Sequence, residues 1–269
     1  MSNTTRAKHD MKRRRAAELA VVLSLGLATA LSHAAPNAQE SQGMTRAQIA
    51  ASKPSETLTA RQQAIVPIAA FAAAGDIAKL NASLHQGLDA GLTVSDAREV
   101  LVQLYAYAGF PRSLNALGEL MKVLEVRKQR GISDAPGSAP SRAAPKGEAL
   151  LAAGTANQTK LLGGPAKGPL YDFAPVVDEF LKTHLFGDIF ERDNLDWQSR
   201  ELATVGMLSA LPGAESQLQA HMRVSMNVGL TAGQLRHLTQ VLAERVDAAH
   251  AQRAREALER QLAAGSAGK

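Results

Sequence analysis

The sequence predicts an all-α protein built from two tandem helical repeats, and three observations carry the helical part. Aromatic residues make up only 4% of the 269 positions while 45% are hydrophobic, chiefly alanine and leucine. Such residues lose little side-chain entropy in a helix. No window alternates apolar and polar residues at period two. The third observation is that one pattern of helices and turns is written twice.

The segment "TARQQAIVPIAAFAAAGDIAKLNASLHQGLDAGLTVSDAREVLVQL" (59–104) parallels "QSRELATVGMLSALPGAESQLQAHMRVSMNVGLTAGQLRHLTQVL" (198–242). Gly75 matches Gly213, Leu80 matches Leu218, and Gly91-Leu92-Thr93 matches Gly229-Leu230-Thr231. Arg61 and Arg200 sit one residue out of step, which puts a one-residue gap in the first helix. Each copy reads as helix, tight turn, helix, turn, helix. In the second, Leu202, Val205, Leu208 and Leu211 form a stripe at helical spacing that Pro212-Gly213 ends. Leu218, Met222, Ser225 and Met226 mark the next helix, closed by Asn227 and Gly229. Thr231, like Thr93, is a hydroxyl suited to cap the third.

Around the repeats, residues 1–34 read as an export signal. "KRRR" (12–15) is a positive start, "LAVVLSLGLATAL" (19–31) is an apolar run too short to span as a mature helix, and "SHA" (32–34) offers small residues at a cleavage site. This predicts a periplasmic or secreted chain beginning near Ala35 or Pro36, without stable membrane insertion once the leader is removed. Residues 35–58 read as a flexible lead-in, 59–126 as the first repeat, 127–153 as a linker or mobile loop, and 154–262 as the second repeat with an N-terminal extension. Within that extension, "YDFAPVVDEFLKTHLFGDIF" (171–190) suggests one amphipathic helix docking through its aromatic residues.

Charge and cysteine content exclude two function classes. The formal charge is +5, but residues 1–34 hold Arg6, Lys8, Lys12, Arg13, Arg14 and Arg15 against Asp10 and Glu18, a net of +4. The remainder, about +1, gives no electrostatic case for a nucleic-acid partner. With no cysteine in the chain, structural disulfides and thiol chemistry are ruled out.

His221 and Glu201 are the candidate reactive pair. Both flank the apolar stripes of adjoining helices, with Glu201 eleven residues before the Pro212-Gly213 turn and His221 eight after it. At about 1.5 Å per residue the axial mismatch is roughly 4–5 Å. A direct hydrogen bond is allowed, and so is a gap filled by water or a substrate oxygen. A satisfied core histidine and an early-helix carboxylate favoured by the dipole are the plain alternatives. Copy one places Ser83 and Gln63 at these positions, which makes it a scaffold half.

The unit "RELAT…ALPG…QLQAHMRVSMNVGLT" resembles the carboxymuconolactone decarboxylase family, whose helical fold is shared with alkylhydroperoxidase D. "GTANQTKLLG" through "FGDIFERDNLDWQSRE" (154–201) is similar to the segment leading into the family domain, with Trp197 and Arg200 in matching places. "LVQLYAYAGFPRSLNAL" (101–117) looks like the family's third helix and its "YAG-P" turn. The resemblance implies a homo-oligomer, a trimer or similar ring. It also implies a small-molecule substrate, a carboxylated lactone or related aromatic-derived acid, and no cofactor.

In the peroxidase branch of this resemblance two cysteines stand between glutamate and histidine. Here Ala214 and Gln217, or their neighbours, replace them, so thiol peroxidase chemistry is unavailable. In the decarboxylase branch the resemblance casts His221 as general acid–base and Glu201 as the residue orienting it. Arg200 or Arg223 becomes a carboxylate anchor, and Tyr105 or Tyr107 a contribution of the first copy to a composite site. Arg223 lies about 200° around its helix from His221 and would more naturally serve a neighbouring subunit. A cysteine-free exported relative that binds a small aromatic-derived or quinone-like compound without turnover is the alternative. No histidine spacing suggests a metal site, and "GGPAKGP" (163–169) lacks the preceding strand and the lysine of a phosphate loop.

Overall fold

Three threonines set the frame of the fold. Thr59, Thr93 and Thr231 each accept a hydrogen bond from the N3 backbone, and the N3 side chains Gln62, Asp96 and Gln234 reach back to the cap backbone. These capping boxes fix three helix starts. The computed structural model describes residues 55–267. The leader expected at 1–34, its cleavage point and most of the lead-in lie outside them.

Among the described residues every regular element is helical. The first three helices are α1 (Ala60–Ala74), α2 (Ile77–Asp89) and α3 (Val94–Gln103). After them come α4 (Tyr105–Gln129), α5 (Glu148–Leu162), α6 (Pro169–Phe173) and α7 (Pro175–Phe180). A π-helical stretch, Leu181–Ile189, leads to α8 (Trp197–Ser209), α9 (Glu215–Asn227), α10 (Ala232–Arg245) and α11 (Ala248–Ala267). No described helix is long and apolar enough to cross a membrane.

The centre is the pair α1 and α8. Ala64–Ala73 and Ser199–Ser209 are buried without interruption, the pattern of helices enclosed on all sides. Gly206 makes the close crossing possible, since a Cβ there would stand 2.9 Å from the Val66 carbonyl oxygen. Around this axis α1–α2–α3 and α8–α9–α10 follow the same order. Their turns match in detail: Gly75 and Gly213 have φ of 78° and 88°, and Gly91 and Gly229 have 92° and 99°. The stripe Leu202, Val205 and Leu208 is buried, with Leu211 packed at its margin.

Three segments differ from the sequence reading. Residues 130–146 are irregular but pinned over the start of α3. Val94 N donates to the Ala135 carbonyl at 2.9 Å, Ser95 N to Pro136 at 3.0 Å, and Ser95 Oγ to Ser138 at 2.5 Å. The end of the lead-in is docked as well, with Leu58 buried and its N–H donated to His237 Nδ1 at 2.9 Å. The stretch 171–190 is broken into three pieces at Pro175 and Leu181. Its C-terminal half packs into a second core of Leu161, Leu185, Phe186, Ile189, Phe190 and Val224, while Phe173 is 88% exposed.

Candidate active site

The turn at 210–214 folds α9 back along α8, and this hairpin closes the gap that helix geometry left open. Asp196 caps α8 by accepting from Ser199 N at 2.8 Å, which fixes the helix start five residues before Glu201. His221 Nδ1 lies 2.7 Å from Glu201 Oε2, so the contact is direct and needs no bridging water. Glu201 is 1% exposed and His221 15% exposed at the side chain. Neutral imidazole must therefore carry its proton on Nδ1 to satisfy the carboxylate, leaving the Nε2 lone pair free. Among the described residues Nε2 has no hydrogen-bond partner. Glu201 Oε1 is also buried and unpartnered.

Tyr107 is the first half's contribution. Its ring meets the His221 ring edge-on, with centroids 5.8 Å apart and planes at 76°. The phenol oxygen lies 3.2 Å from Thr204 Oγ1, and Gln103 Nε2 donates to that same hydroxyl at 2.8 Å. Burial raises the Tyr107 pKa well above its ordinary value and the Glu201 charge adds to the rise, so this side chain is a neutral phenol at any physiological pH. Tyr105 goes elsewhere. It stacks on Phe110 at 4.6 Å and lines a small apolar pocket with Phe180 and His184, so only one of the two tyrosines joins the dyad.

Arg200 requires a correction. Expected as a carboxylate anchor for substrate, it is 0% exposed and already holds a carboxylate of the protein. Its Nη2 donates to Glu99 Oε2 at 3.3 Å and to the Arg192 carbonyl at 2.8 Å, and Nη1 to Gln103 Oε1 at 3.3 Å. Glu99, equally buried, takes a fork from Arg192 at 2.8 and 2.7 Å. A guanidinium sealed into such a clamp cannot reach a ligand. Arg223 is likewise not beside the dyad: it is exposed and lines a separate cleft with Lys167 and Tyr171. The helical twist already implied that separation.

The clamp sets an acid limit on the fold. Burial pushes the Glu99 pKa up, but hydrogen bonds from Arg192 and Asn194 and the charges of Arg192 and Arg200 outweigh it and hold it at about 2. A folded-state pKa below the ordinary value contributes stability that is complete above about pH 4.5 and lost as pH falls toward about 2. Thermal melts from pH 6 to pH 2 are expected to fall more steeply for the natural chain than for Glu99→Gln. Parallel curves would remove Glu99 from the acid transition.

Among the described residues no group of three histidine, aspartate or glutamate side chains is placed to hold a metal. The residues that sequence reasoning missed are Glu99, Gln103, Arg192 and Thr204. Only Thr204, three positions after Glu201 on the same helix, had a local signal. The others reach the site through contacts 93 to 101 residues apart in sequence.

Comparison with known proteins bears on this same region. Residues 175–260 match the Carboxymuconolactone decarboxylase family. That span contains Glu201, Thr204, His221 and Arg223 but neither Tyr107 nor Glu99. The 4-carboxymuconolactone decarboxylase of Acinetobacter baylyi is 33% identical over 69 residues, which is 26% of this chain and 51% of that protein. The chain thus spans about half the length of the curated relative it matches. Residues 175–260, about a third of the chain, are thus similar to the carboxymuconolactone decarboxylase family.

Proposed function

We propose that the protein is a small-molecule carboxy-lyase of the carboxymuconolactone decarboxylase type, with His221 as general acid–base and Glu201 as the residue that orients it. The observation that carries this reading is the 2.7 Å Nδ1–Oε2 contact with Nε2 left free, inside the family segment. In the reaction the bond between the ring carbon and the carboxylate carbon breaks and carbon dioxide leaves. The electron pair flows into the conjugated carbonyl to form an enolate, and His221, having taken a proton from water on Nε2, delivers that proton to carbon and returns to neutral imidazole. Glu201 compensates the imidazolium charge, while the Tyr107 ring limits how the imidazole can turn. Without cysteine there is no peroxidatic thiolate.

The non-catalytic binding reading gains from one observation, the withdrawal of Arg200 into the Glu99 clamp, which removes an expected substrate anchor. The test is direct. The lyase reading expects a carboxylated unsaturated lactone to lose its ultraviolet absorbance with one equivalent of carbon dioxide released. Saturable binding of the lactone without carbon dioxide would favour the binding protein.

Self-association belongs to the same proposal. Phe110, Leu114 and Met121 lie at four- and seven-residue intervals along α4 and are 61%, 63% and 71% exposed. A stripe of large apolar side chains on one helix face is the kind of surface that a second copy covers. Leu114→Glu with Met121→Glu is expected to lower the mass measured by light scattering to that of a smaller species. An unchanged mass would move the interface off α4.

A further inference from the structure

We infer that the cleft between the 163–167 loop and α9 is a binding site for a small organic dianion, separate from the His221–Glu201 dyad. The cleft encloses about 410 Å³, a volume suited to a small molecule, between Leu162, the loop, Tyr171, Ala220 and Arg223. Lys167 and Arg223 both line it, and no carboxylate does. Among the described residues neither cation has an ion pair. Two like charges sharing one concave surface repel each other, and a ligand carrying two negative charges relieves both at once.

The rest of the wall supports an organic frame rather than a bare ion. Leu162, Pro165 and Ala220 supply apolar surface, and Tyr171 adds a half-buried ring whose hydroxyl has no hydrogen-bond partner among the described residues. The backbone N–H groups of Gly164, Ala166 and Lys167 make no hydrogen bond among the described residues, so the loop offers donors as well. Its start is fixed, because Asn227 Nδ2 donates to the Leu161 carbonyl at 2.9 Å and ties the end of α5 to α9. Planar, bidentate recognition of a carboxylate suits Arg223, while Lys167 serves as a point charge.

The site does not depend on turnover at His221. Ala220 and Arg223 stand about 100° and 200° around α9 from that residue, so the cleft opens on another face of the helix. Titration calorimetry of the full chain at low salt, with phthalate and inorganic phosphate as probes, tests it. Phthalate is expected to bind at one saturable site. Lys167→Ala and Arg223→Ala should each weaken it by about ten-fold, and His221→Ala should leave it unchanged. Both cations are exposed, so the variants should keep the helical circular dichroism and melting point of the natural chain. No saturable phthalate binding, or binding that both variants retain, overturns the proposal. Phosphate binding as tightly as phthalate overturns the organic frame.

Discussion

His221→Ala is expected to cut turnover of a carboxylated lactone by about 10²- to 10⁴-fold, the usual contribution of a positioned acid–base. The loss should fall on the turnover number more than on KM, because the imidazole works on the proton and not on the anchoring of the substrate. The substitution also has a structural consequence. Glu201 is 1% exposed and its Oε1 already lacks a partner, so removing the imidazole leaves a buried carboxylate with no hydrogen bond at Oε2 either. Such a group costs about 1–3 kcal/mol. Glu201→Gln separates the two effects. It keeps a neutral acceptor for Nδ1–H, and it should hold the melting point while still slowing turnover, because the amide cannot balance an imidazolium. Full activity in either variant would remove the dyad from the reaction.

Glu99→Leu is expected to be the most destabilising single change away from the dyad. Arg200 and Glu99 are both 0% exposed, and Arg200 Nε is already without a partner. Burial pulls the Arg200 pKa down, and the Glu99 charge is what opposes that. Removing the carboxylate strands the guanidinium, and breaking a buried pair on one side costs about 3–5 kcal/mol. For a chain of this size that corresponds to a melting point lower by roughly 10 °C. Arg192 is 35% exposed and can turn to water, so its share of the loss is small. Replacing both partners, as Glu99→Leu with Arg200→Met, should recover much of the stability, since no stranded charge remains. A single variant that melts within 1–2 °C of the natural chain would show that the clamp does not hold α3 against α8.

The helices were readable because their signals are local. Thr93 and Thr231 announce helix starts, and Gly75, Gly91, Gly213 and Gly229 occupy left-handed turns that other residues resist. The hairpin between Glu201 and His221 was readable for the same reason: a turn of known place joins two helices of known length. Spacing alone left the contact open, because a 4–5 Å axial mismatch is settled by helix tilt and rotamer. Arg200 misled because a buried arginine and an arginine facing a ligand look alike in sequence. Its partner Glu99 lies about 100 positions earlier, and nothing local marks either as buried. The break in 171–190 could have been anticipated from Pro175. The π-helical turn after it could not, because it depends on how closely the Gly154 and Gly187 backbones approach each other's helices.

Ring-nitrogen magnetic resonance of ¹⁵N-histidine protein, with the His221 signals identified from the His221→Ala spectrum, tests the dyad most directly. His221 is expected to carry a proton on Nδ1 bonded to Glu201, with the Nε2 resonance moving on addition of a carboxylated lactone. A proton resident on Nε2 with Nδ1 bare, or an Nε2 signal unmoved by saturating lactone, would contradict it.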